Sequence, residues 1–102
     1  MNTKIYSIDE IRKLLKEILH NTEVKRAILF GSYAKNIPTP NSDIDILIDS
    51  DGKIKGLQFY AIIDIIKEKF DKEVDVIEKS EINKNSKIEK EIAKTGVVIY
   101  EK

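Results

Sequence analysis

There is no cysteine among these 102 residues, no tryptophan, and only one histidine. The first absence removes disulfides, thiolate metal sites and cysteine nucleophiles together. The lone His20 cannot build a histidine-rich metal centre. Its place near the end of the first expected helix suits a surface cation on the helix dipole. Prolines number two and glycines four, beside 41% apolar and 35% charged residues, which is the balance of a folded globular chain rather than a disordered one. No stretch approaches the roughly 18 apolar residues needed to cross a membrane. The opening MNTKIYSIDEIRKLL turns charged without an apolar signal core, so a cytoplasmic location is expected. Eighteen basic residues balance eighteen acidic ones, mixed along the whole chain, and no basic stripe is left to track a duplex nucleic acid. The weight of lysine, isoleucine and glutamate fits a thermophilic source or an AT-rich genome.

What is present reads as alternating helices and strands in one domain, residues 1–102, with no linker, repeat or low-complexity tract. Ser7 and Glu10 have the spacing of a capping box, and Ile8, Ile11, Leu15 and Ile18 follow at helical intervals, predicting a helix from about Ser7 to His20. The apolar run 26–30, ending at Gly31, has the profile of a buried strand that stops at a tight turn. Pro38 and Pro40 keep 36–42 as a loop, and 44–49 forms a second strand. Phe59, Ile62, Ile63, Ile66 and Phe70 repeat at helical spacing within 56–70. Residues 73–77 alternate as a third strand, 85–94 reads as a helix closed by Gly96, and 97–100 adds a fourth strand. Such an order implies an α/β (α+β) fold, a small mixed β-sheet with helices packed against it.

The second strand carries an anomaly. Side chains alternate along a strand, so Ile44, Ile46 and Ile48 share one face while Asp43, Asp45, Leu47 and Asp49 share the other. Two carboxylates a few ångströms apart repel by about 4 kcal/mol at the effective dielectric near a protein surface, and a divalent cation reverses that sign. Magnesium suits such a pair because it takes one or two carboxylates together with substrate phosphate oxygens. Upstream, Phe30-Gly31-Ser32 ends a strand and opens a tight turn whose backbone N–H groups can hold a phosphate. Asp75 interrupts the apolar third strand, where a further carboxylate can serve a second magnesium ion. Each feature alone has a plain structural alternative: solvated acids at a strand end, an ordinary strand-to-helix turn, an exposed residue on an edge strand.

Together, Gly31-Ser32, then Ser42-Asp43-Ile44-Asp45, then Asp75 resemble the signature of the DNA polymerase β-like nucleotidyltransferases, and most closely their minimal members, over nearly the whole chain. That resemblance implies the polymerase β-like fold and an ATP-dependent nucleotidyltransferase. It assigns the nucleotide phosphates to Gly31, Ser32, Lys35 and Ser42. Two magnesium ions go to Asp43, Asp45 and Asp75, which are also the catalytic residues. It further implies an antitoxin that transfers AMP to a tyrosine hydroxyl of a HEPN-domain toxin partner. Lys35 stands where the family usually has arginine, and Asn36 where it has glycine. Lysine keeps the charge without the planar fork, and asparagine tolerates a left-handed backbone. Competing readings are a subunit that neutralises its partner by occlusion alone and a small-molecule nucleotidyltransferase. For the latter, 102 residues leave no room for an acceptor domain. Leu57, Phe59, Tyr60, Ile65 and Ile66 spread round much of the 56–70 helix, more than one sheet contact needs, which fits either packing on two neighbours or a partner surface.

Overall fold

The computed structural model describes residues 4–102. Residues 1–3, the start of the segment expected to lack a signal core, lie outside them. Helix α1 (Ile8–Leu19) begins where the sequence places it: Ser7 Oγ accepts the Glu10 N–H, and the Glu10 carboxylate accepts the Ser7 N–H in return. Its apolar stripe, Ile11, Leu15 and Leu19, is wholly buried. Strand β1 (Arg26–Phe30) runs straight into α2 (Gly31–Ala34), a single helical turn anchored by the buried Tyr33. Strand β2 (Ile44–Asp49) follows the loop, and Asn36 in that loop adopts φ 61°, the left-handed backbone its side chain tolerates.

Helix α3 (Leu57–Phe70) leads to β3 (Val74–Glu78), a 3-10 turn at Lys79–Glu81, α4 (Lys87–Thr95) and β4 (Val97–Glu101). The sheet order is β3-β2-β1-β4. β1 is antiparallel to both β2 and β4, and β2 is parallel to β3. One face carries Ala27, Leu29, Ile44, Ile46, Ile48 and Val74 against α1 and the Phe59, Ile62, Ile66 and Phe70 stripe of α3. At the helix junction, the Tyr6 hydroxyl donates to Phe70 O at 2.7 Å and its ring meets Phe70 edge-on. Among the described residues no helix is long and apolar enough to cross a membrane.

The other face departs from expectation. Leu47 and Asp49, expected to project beside the acids, are buried, because α4 and the 3-10 turn lie over the far end of this face. Gly96 also differs: its backbone is extended at φ −66°, so it does not close α4 in the left-handed conformation. Glycine is required there for space, since a Cβ would press on Ile92 O and on Ile28 Cγ2 where α4 meets β1. Helix α4 begins two residues later than expected, because Ser86 Oγ accepts the Glu89 N–H and so acts as its cap, with Asn85 left-handed before it.

Ile46, fully buried at the centre of β2, tests the core face. Ile46→Ala is expected to cost roughly 2–5 kcal/mol in denaturant melts, through lost burial and the cavity left behind.

Candidate active site

The site forms where β1 turns into α2. Phe30 pairs with Asp45 across the antiparallel ladder, and Asp45 pairs with Asp75 across the parallel one, so the turn and two of the acids share one row of the sheet. The second row on this face is Ile28, Leu47 and Ile77. Its apolar side chains continue to the far end of the strands, where Arg26 lies opposite Asp49. Alternation thus places the acids at one end of an otherwise apolar face. Asp49, four residues along β2 from Asp45, belongs to that far end. It takes the Asp51 N–H at 3.2 Å and faces Lys79 Nζ at 3.5 Å, a structural position.

Gly31 is bound to the acids by close approach. Its φ is +75°, a conformation that suits glycine, and a Cβ built on it would collide with the Asp45 carboxylate. The turn and the carboxylate are therefore packed against each other with no room for any other residue at position 31. No side chain caps α2, which leaves its leading amides unclaimed by the protein's own side chains.

Asp45 is partly buried, shares a hydrogen bond with Asp75, and feels the charges of Asp75, Asp43 and Glu91. Desolvation first, then the neighbouring carboxylates, push its pKa up to about 6. Burial and the neighbouring acids both disfavour the charged carboxylate, and a divalent cation held there would reverse that. The donor set fits magnesium on this ground, with Asp45 and Asp75 facing each other and Asp43 in the loop just before β2. Among the described residues no group of three or more histidine or acidic side chains is placed so that the protein alone could hold a metal ion.

Asp43 and Asp75 are exposed at the mouth. Beside Asp43 opens a cleft of about 510 Å³ between Pro40–Asp43 and the α3–β3 turn, bridged by Lys72 Nζ donating to Pro40 O at 2.8 Å. Ser42 lines this cleft. Its hydroxyl accepts the Thr39 N–H at 2.9 Å, so here it builds the loop. Lys35 leaves the end of α2 and pairs with Glu91 of α4 at 3.2 Å. Glu91 escaped the sequence reading. It carries no motif and reaches the site only because α4 folds back on the sheet. His20 stays on the surface at the end of α1, away from these acids in the chain and on the carbonyls of its own last turn.

A family model described as polymerase beta, nucleotidyltransferase, matches residues 12–102. Among curated proteins, one from Methanocaldococcus jannaschii, named as a candidate protein adenylyltransferase, is 36% identical over 87% of this chain and 90% of its own length. A second of the same description and organism is 38% identical over 70% of this chain and 76% of its own. Among solved structures, a chain of a toxin–antitoxin complex with AMP-PNP superposes at TM-score 0.70 with 20% identity, covering 95% of this chain and 75% of that one. A chain from the complex of tri-AMPylated Shewanella oneidensis HEPN toxin with MNT antitoxin superposes at TM-score 0.61 with 19% identity, covering 93% and 70%. The family match together with these two likenesses establishes the polymerase β-like fold.

Two outcomes test this geometry. Gly31→Ala is expected to destabilise the protein by about 1–3 kcal/mol in thermal melts, because the methyl group must displace the Asp45 carboxylate or the turn. Asp45 has a pKa above its unfolded value, so the folded metal-free protein binds the extra proton between the ordinary carboxylate range and about pH 6, and loses stability as pH rises through that window. Asp45→Asn removes this dependence. In EDTA at pH 7 it is expected to match or exceed the parent stability by about 1 kcal/mol, discounted for solvent screening, with the difference vanishing near pH 4.

Proposed function

The chain belongs to the polymerase beta nucleotidyltransferase family, and on that premise we propose that it is a magnesium-dependent protein adenylyltransferase acting as an antitoxin, moving AMP from ATP onto a tyrosine hydroxyl of a HEPN-type toxin. The observation that carries this is the close approach of the Gly31 turn to Asp45, which itself lies opposite Asp75, so that a tight strand-to-helix turn and crowded carboxylates meet at one place. The adenylyltransferase names of the relatives and the antitoxin complexes among the structural neighbours support the choice of substrate and partner. The exposed Leu57, Tyr60 and Ile65 on α3 are available to a protein partner.

In this reading the turn at Gly31 and Ser32, with Lys35, receives the β- and γ-phosphates, the leaving end of the nucleotide. Ser42 holds the loop that carries Asp43 into the site. Asp43, Asp45 and Asp75 would hold two magnesium ions, which when bound offset the phosphate charge and the crowding of the acids. Asp75, exposed beside Asp45, orients the tyrosine hydroxyl and takes its proton. The phenolic oxygen forms a bond to the α-phosphorus, the bond from that phosphorus to the bridging oxygen breaks, and pyrophosphate departs in line. The closed core behind β2 keeps these groups fixed while the substrates change, so little reorganisation is required at the moment of reaction.

The test is transfer of label from [α-32P]ATP to a co-purified HEPN-type protein, with and without magnesium. Label is expected on the protein only with the metal. Asp45→Asn is expected to reduce it by several orders of magnitude while leaving the fold intact. Neutralisation of the toxin by Asp45→Asn without any transfer would establish an occluding subunit, and label on nucleosides or aminoglycosides alone would establish a small-molecule enzyme.

A further inference from the structure

One ion pair couples the nucleotide corner to α4. Lys35 follows α2 directly, and its backbone N–H closes that turn onto Gly31 O at 3.2 Å, so its side chain departs from the same corner as Gly31 and Ser32. The ammonium does not point away into solvent alone but meets Glu91 Oε1 at 3.2 Å. Helix α4 touches α2 at this place, and the charge of Glu91 is felt at Asp45. Glu91 thus adds a further negative charge within electrostatic reach of Asp45, and the cation that balances it is the one assigned above to the triphosphate.

The two demands on Lys35 compete. A triphosphate entering the turn offers more negative charge than one carboxylate, while Glu91 both holds the cation and repels the newcomer. We propose that Glu91 is a positioning residue that sequesters Lys35 in the nucleotide-free protein and yields it to the incoming triphosphate, so that α4 sets the affinity for nucleotide. This rests on the nucleotidyltransferase reading and extends it to a residue outside the acid motif. Both side chains are a third or more exposed, at 41% and 34%, so the pair is a weak one that a polyphosphate can displace.

Calorimetric titration of the full chain with AMP-PNP and magnesium tests the proposal, using the parent protein, Glu91→Gln, Lys35→Met and the double variant. Glu91→Gln is expected to bind roughly two- to fivefold tighter, the range set by an exposed ion pair. Lys35→Met is expected to bind more weakly, and the double variant to match Lys35→Met. Glu91→Asp keeps the charge but shortens the reach, and is expected to give part of the gain. It keeps the test open if the glutamine variant folds poorly in thermal melts. Unchanged or weaker binding by both Glu91 variants overturns the proposal. So does a gain that persists without Lys35, which would reduce Glu91 to a simple repelling charge. If the parent itself binds no nucleotide, the nucleotidyltransferase reading fails and this proposal with it; parent binding without a Glu91 effect removes the proposal alone.

Discussion

Everything at the site depends on two like charges being held together. The parallel pairing of β2 with β3 sets Asp45 opposite Asp75, and neither can withdraw, because the alternate residues on both strands are locked in the core: Ile44 and Ile46 on β2, Val74 on β3. Repulsion of about 4 kcal/mol between adjacent carboxylates is small beside the burial of several such side chains, each worth about 1.5–3 kcal/mol. The core wins, and the result is a standing demand for positive charge at one end of the sheet. Gly31 makes the arrangement tighter still, since the backbone itself closes on Asp45.

Local signals account for what was legible in the sequence. Ile8, Ile11, Leu15 and Ile18 announce α1, the Ser7–Glu10 box fixes its start, and the isoleucine alternation gives β2 its bounds and its two faces. The acids were visible for the same reason, because a charge that interrupts an alternating pattern is detectable without knowing what lies across from it. What escaped notice depends on tertiary packing. Leu47 and Asp49 are buried only because α4 and the 3-10 turn come back over them, and Glu91 is a site residue only because α4 meets α2. Gly96 was read as a helix terminator from its position in the chain, whereas its reason is the proximity of Ile28 on a strand nearly seventy residues earlier.

Helix α4 therefore differs in kind from α1 and α3. Those two carry fully buried stripes and build the core, while α4 has no fully buried residue and rests on the opposite face through Ile92 and its neighbours. Few buried apolar contacts mean a lower local cost of displacement than for the core helices. The fold thus places its least embedded helix beside the Gly31 corner, and its most embedded strand beneath the acids.

The position of Asp75 on β3 also bears on how the protein behaves in a crowd. β3 is an outer strand of the sheet, with one row of backbone groups unpaired by any strand among the described residues, and its sequence is otherwise Val74, Val76 and Ile77 before Glu78. Outer strands of that composition recruit one another into aggregates, and a charge on them is a common safeguard. Asp75 interrupts that apolar run with an exposed carboxylate, so the side chain that crowds Asp45 also puts a charge on this edge, and a small apolar residue in its place would leave the edge more open to self-association.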